Sequence, residues 1–177
     1  MMVRSKLDWS LDAGAGLTAR PLVHGDLDVM GRLLAEPEVA FWYDDSPIAE
    51  QVAELGAHIE SDCVSPFLVV LGGQPIGYIQ AYHANRDPWW TAFGVPQETF
   101  GLDMFLAECR ECGLGPRLTR AMIDRLCAMD GIRRIQIDPD PANGRAIRAY
   151  EKAGFRIIGV FPGYYPGEEM LYMTIET

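Results

Sequence analysis

A chain of 177 residues, 49% hydrophobic and 23% charged, carries enough apolar material for one sizeable core, and residues 1–177 read as a single domain. Its formal charge of −10, from 25 acidic and 15 basic residues with no basic stripe, disfavours nucleic acid as a partner and suits a cationic small molecule. No apolar run reaches membrane-spanning length and the first ten residues lack a signal-peptide apolar segment, so a cytoplasmic protein with no membrane partner is expected.

In chain order, residues 17–22 read as a short strand. Asp26 can cap a helix with Leu27, Met30, Leu33 and Leu34 along one side, and Pro37 is expected to end it. Phe41-Trp42-Tyr43-Asp44-Asp45 reads as an aromatic and acidic loop. Ser46-Pro47 opens a second helix, on which Ile48, Val52, Leu55 and Ile59 recur at helical spacing. Residues 66–71 and 75–82 form a hairpin about Gly72-Gly73-Gln74. Between 83 and 99 the pattern breaks, around Asp87-Pro88-Trp89-Trp90 and a Gly94/Pro96 turn, in the manner of a ligand-binding loop. A strand over 100–107 runs into a glycine turn, Cys112-Gly113-Leu114-Gly115. The helix that follows, over 116–129, starts on Pro116 and puts Leu118, Met122, Ile123 and Leu126 on one face. Residues 132–137 form a strand ending at Asp138-Pro139. Asn143 can cap a helix through Lys152, stopped by Gly154, and strands over 155–160 and 169–175 close the chain around a turn at 161–167. The order β-α-α-β-β-β-α-β-α-β-β predicts a mixed sheet with helices on its faces.

Several patterns bear on chemistry. A glycine turn that opens a helix aims free N–H groups and the positive end of the helix dipole outward, which suits phosphate, although Gly-x-Gly alone also fits a plain turn. Cys109-x-x-Cys112 has no second pair and no nearby histidine, so the four cysteines are read as reduced and structural, with no metal expected. His24, His58 and His83 show no triad or metal spacing. Trp89 and Trp90, adjacent in a Pro-flanked loop, cannot easily both face inward; at least one is expected to meet a ligand through a flat face that suits sugars and cations. Asp44, Asp45 and Asp140 read as solvated loop acids.

Arg110-x-x-Gly113-x-Gly115 resembles the (Gln/Arg)-x-x-Gly-x-(Gly/Ala) signature of the GNAT superfamily of N-acetyltransferases. The run from Asn143 through Ala146, Tyr150 and Lys152 to Gly154-Phe155 is similar to that family's second block, N-x-x-A-x-x-x-Y-x-K-x-G-F. Gly73-Gln74-Pro75-Ile76-Gly77-Tyr78, Asp87-x-Trp89-Trp90, Gly101-Leu102-Asp103 and Gln136-Ile137-Asp138-Pro139-Asp140-Pro141-x-Asn143 extend the resemblance to the aminoglycoside 6′-N-acetyltransferases. It implies an α+β GNAT fold with a central, mostly antiparallel mixed sheet and helices on both faces. It also implies acetyl transfer from acetyl-CoA to the 6′ amine of an aminoglycoside, a resistance activity, in a monomer or homodimer.

The resemblance sets out a site as well. Arg110, Gly113, Leu114 and Gly115 would cradle the pyrophosphate of acetyl-CoA, Asn143 would touch the cofactor, and backbone N–H groups from Leu102 to Met104 would stabilise an oxyanion. Asp103 would sit beside the substrate amine, either as base or as a carboxylate that only holds the cation. Tyr150, which a helix-face reading alone would assign to the core, would protonate the departing thiolate. Tyr43, Asp87, Trp89, Trp90 and Asp138 would line the substrate site, with Glu168 as a further acidic contact. Pro116 and Cys112 depart from the family pattern, the first by removing one N–H from the turn. The same motifs also fit siderophore-type lysine or hydroxylysine N-acyltransferases, or a CoA-binding domain of this fold without turnover.

Overall fold

The computed structural model describes residues 6–108 and 112–177. In its first half, β1 (Leu11–Asp12) and β2 (Leu17–Pro21) precede three helices, α1 (Leu27–Leu34), α2 (Pro37–Trp42) and α3 (Ile48–Glu60). Then come β3 (Val64–Leu71), β4 (Gln74–His83), the short helix α4 (Pro88–Phe93) and β5 (Thr99–Leu106). The second half runs α5 (Leu114–Cys127), β6 (Arg134–Ile137), α6 (Gly144–Ala153), β7 (Arg156–Pro162) and β8 (Glu169–Glu176). The strands form one sheet in the order β1-β2-β3-β4-β5-β6-β8-β7. Every pair is antiparallel except β5 with β6.

Strand alternation sorts the side chains onto the two faces of this sheet. Phe67, Val69, Ile79, Ala81, Phe100, Leu102, Ile135 and Ile137 pack with Leu118, Met122, Ile123 and Leu126 of α5. Leu68, Tyr78 and Phe105 point the other way, onto Met30, Leu33 and Leu34 of α1 and Leu55 of α3. By the same period of two, Gln80, Asp103, Gln136 and Asp138 belong to the α1/α3 face, where hydrophobic residues would be expected. Four polar side chains there mark the functional face.

Besides the unexpected short strand β1, the fold departs from the sequence expectation at three places. Pro37 starts a helix instead of ending the region: it occupies the first turn of α2, where its missing N–H and fixed φ cost nothing, and so Phe41 and Trp42 are helical. The 83–99 segment is not all loop, because Asp87 caps α4 by accepting from the N–H groups of Trp89 and Trp90 at 2.8 and 3.2 Å. Finally, α5 begins at Leu114, two residues early. Gly113, at φ +71°, takes the left-handed conformation that turns the chain into the helix, which puts Pro116 third in the helix, still among the donors that have no intrahelical partner.

One irregularity positions the site. Parallel β5 and β6 pair only through Thr99–Arg134, Phe100–Ile135 and Gly101–Gln136. On its other side β5 stays paired with β4 as far as Leu106. Past Gly101, therefore, one edge of β5 has no partner strand, and a wedge opens between β5 and β6 in the middle of the sheet.

Candidate functional site

A cavity of about 1070 Å³ fills this wedge and extends from α2 and α3 on one side to the N-termini of α5 and α6 on the other. Asp103 and Asp138 line it from β5 and from the end of β6. Gln80, directly across from Asp103 in the β4–β5 register, donates Nε2–H to Asp103 Oδ2 at 2.6 Å. The hydroxyl of Tyr78 in turn donates to Gln80 Oε1 at 2.7 Å, which fixes the amide so that its N–H₂ faces the carboxylate.

Burial pushes Asp103 up to about 6, and the neighbouring negative charges of Glu54 and Asp87 push the same way against the opposing hydrogen bond from Gln80. Asp138 is also raised well above the usual carboxylate range, first by burial and then by Asp103. Both changes follow from removing water around a charge and placing like charges together. Tyr150, 8% exposed and on the cavity wall, is raised by burial and by the same two acids. Its hydroxyl has no hydrogen-bond partner among the described residues and stays protonated at neutral pH, a free donor.

The backbone contributes too. Ala107 donates its N–H to Ile76 of β4. Alternation carried back along the strand turns Phe105 and Asp103 toward β4 and aims the N–H of Met104 across the wedge, beyond the last residue paired to β6. The Met104 side chain lines the cavity. Leu102, in contrast, is fully buried in the core and is not among the residues that line the cavity. At the far end Gly113, Leu114, Gly115 and Pro116 line the cavity at the start of α5. Leu114 and Gly115 present N–H groups there, where the helix dipole favours an anion; Pro116 presents none. Arg148 and Lys152, on the cavity side of α6, add positive charge, and Arg145 pairs with Glu38 of α2. Asn143 lines the cavity and caps α6, its Oδ1 accepting from Ala146 N–H at 3.1 Å.

The structure therefore brings Tyr43, Asp103, Met104, Gly113, Leu114, Gly115, Asp138, Asn143, Tyr150 and Glu168 to one cavity. Tyr43 packs edge-on against Phe105 at 4.8 Å, and Glu168 Oε2 accepts from the N–H of Tyr165 at 3.1 Å. Three expected substrate contacts, Asp87, Trp89 and Trp90, are not among the residues that line this cavity. Asp87 Oδ1 caps α4, and the charge of Asp87 acts on both Asp103 and Asp138. Trp90 is 4% exposed and donates Nε1–H to Tyr82 at 3.1 Å, so it belongs to an aromatic cluster with Phe93 and Tyr172. Trp89 stacks on Phe93 and touches Tyr164; neither tryptophan lines the cavity. Arg110 and Cys109 lie outside the described residues. Gln80, Glu54 and Arg148 also line the cavity without a role in the sequence reading, and Lys152 enters that reading only as a motif position; a glutamine within the apolar run of β4 signals a site but not the partner it meets.

Chemically, a carboxylate that titrates near 6 can take a proton from a cation at neutral pH, and an unpartnered phenol can return one to a leaving group. Among the described residues no cluster of His, Cys, Asp or Glu could hold a metal ion, and no helix is long and apolar enough to cross a membrane.

Comparison with known proteins agrees with this geometry. A family model for the acetyltransferase (GNAT) domain matches residues 23–162. The aminoglycoside N(6′)-acetyltransferase type 1 of Klebsiella pneumoniae is 35% identical over 148 residues, 78% of this chain and 73% of that protein. The lysine N-acyltransferase MbtK of Mycolicibacterium paratuberculosis is 28% identical over 76% of this chain and 63% of its own. Among solved structures, AAC(6′)-Ib in complex with paromomycin and acetyl-CoA superposes with a TM-score of 0.81 at 30% identity, covering 91% of this chain and 93% of that one.

Proposed function

The chain belongs to the GNAT acetyltransferase family, and from that premise we propose that it is an aminoglycoside 6′-N-acetyltransferase that works in the cytoplasm and confers resistance. One observation carries the reading. Asp103 and Asp138 face the open wedge of the sheet at one end of a cavity whose other end is a glycine-led helix N-terminus with nearby cations. That is an acidic compartment for a polycation joined to a basic one for a polyanion.

Acetyl-CoA would supply an activated acetyl thioester, held at its phosphates by the N–H groups of Leu114 and Gly115, with Arg148, Lys152 and Asn143 close by. Asp103, set by Gln80, accepts the proton of the substrate ammonium and so frees the amine to attack. The Met104 N–H would donate to the oxyanion that develops as the carbonyl is attacked, and Tyr150 would give its proton to the departing sulfur and regain one that the nitrogen sheds as the amide forms. Asp138, Tyr43 and Glu168 hold the remainder of the cation.

Thiol release from acetyl-CoA, measured with kanamycin, tobramycin, amikacin and gentamicin with and without a free 6′ amine, tests the reading. Turnover that requires this amine is expected. Silence across the panel, with acetyl-CoA still bound, would refute it and move the reaction to a lysine-type amine, in line with the likeness to MbtK.

A further inference from the structure

Helix α3 forms one wall of the cavity and brings a carboxylate that the mechanism above leaves unused. Glu54 lines the same space as Asp103 and Tyr43, and its side chain is 61% exposed. Glu54 and Asp87 both act on Asp103 through their charge, Glu54 the more strongly, alongside the mutual repulsion of Asp103 and Asp138, and Tyr43 and Tyr78 respond to Glu54 as well. Its negative charge is therefore directed into the acidic end of the cavity.

Among the described residues little cancels it. The ion-pair partner of Glu54 among the described residues is His58, one helical turn on, with Nε2 at 3.6 Å. Burial holds the His58 imidazole below its ordinary range, and Nδ1 is buried without a hydrogen-bond partner, so the ring is largely neutral near pH 7. The other basic groups of the cavity, Arg145, Arg148 and Lys152, stand on α6, and Arg145 is engaged by Glu38. Glu54 on α3 thus joins Asp103 on β5 and Asp138 at the end of β6 around one solvent-filled space, where like charges repel. A ligand with two positive charges relieves more of that repulsion than a ligand with one.

We propose that Glu54 holds a second ammonium group of the substrate beside the one received by Asp103, and so selects amines that carry at least two positive charges. This rests on the reading that the substrate is an aminoglycoside, and it adds α3 to the elements that determine substrate preference.

The test compares kcat/KM for kanamycin with kcat/KM for methyl 6-amino-6-deoxyglucoside, a sugar with one amine, in the wild type and in Glu54→Gln, with a thermal melt to verify folding. Loss of a charged contact should lower the kanamycin value roughly 10-fold and the monoamine value by no more than about 2-fold, with Glu54→Asp recovering part of the loss. An equal fall for both substrates would mean that Glu54 acts only through Asp103, and no fall would mean that it touches no substrate; either overturns the inference. Failure of the underlying reading looks different: the wild type itself would leave every aminoglycoside unacetylated, and the inference would fall with it.

Discussion

Replacing Asp103 by asparagine should make the protein slower and more stable at once. The carboxyl titrates at about 6, against 3.8 for an unperturbed aspartate. That rise of about two pH units corresponds to roughly 3 kcal/mol of folding free energy at neutral pH, and water in the open cavity reduces it to about 1–2 kcal/mol. The sign follows from proton binding. Between about pH 4 and pH 6 the folded carboxyl keeps a proton that the unfolded one has lost, so stability falls as pH rises through this window and stays lower above it. Asparagine carries no such dependence and can still accept the hydrogen bond from Gln80. Melting curves at pH 4 and pH 7.5 should therefore show no gain at the lower pH and a gain of about 3–6 °C at the higher, since 1 kcal/mol moves Tm by roughly 2–4 °C at this size. In the same variant kcat/KM should drop by roughly 100-fold or more if Asp103 is the base. A variant less stable than wild type at pH 7.5, or a gain equal at both values, would refute the burial argument. A raised KM with unchanged kcat would leave Asp103 as a holder of the cation and not a base.

Two further substitutions separate roles that share a position. Tyr150→Phe removes the one free hydroxyl on α6 and should lower kcat by roughly 100-fold with a smaller change in the KM for the amine; an unchanged kcat returns the ring to the core, where it packs against Phe155. Asp87→Ala deletes the cap of α4 and should lower Tm by about 2–4 °C, the equivalent of about 1 kcal/mol, whereas Asp87→Ser keeps a capping oxygen and should keep the melting temperature. If serine fails as badly as alanine in turnover while it melts normally, the charge of Asp87 matters to the substrate after all.

The sequence carried the strands from β2 onward, the glycine turn and the tyrosine helix because each has a short-range physical signature: period-two runs, a left-handed glycine before a helix, an asparagine cap. Pro37 was misread because proline is as much at home in a first helical turn as after a last one, and the residues alone do not say which side of it the helix lies. Asp87-Pro88 carries the residues of a capped helix start, while the two tryptophans beside it suit a ligand-binding loop equally well; the fold forms the helix, with Trp90 buried against Tyr172 of β8 and Trp89 stacked on Phe93. Gln80 could not be assigned from sequence, since its importance depends on which residue of β5 lies opposite, a register set by the whole sheet. The cationic side of α6 likewise gains its meaning only from the placement of α6 beside the start of α5.

The divergence of β5 from β6 has an architectural consequence. A groove made by two strands parting, and not by loops folded around a hollow, takes its width from the angle at which the strands separate, and that angle is set where they last touch. Gly101 and Gln136 form that final rung. A methyl group on Gly101 would meet the ring of Tyr82 at 2.0 Å, and Gln136 is fully enclosed, so neither can be altered without shifting its surroundings. Both compartments open from this one pivot, so a change there would re-gauge the acidic and basic ends together, whereas changes on α3 or in the 163–168 turn would reshape the acidic end alone. Variants of this protein that adapt to new amines therefore have room to change at the walls, and almost none at the hinge.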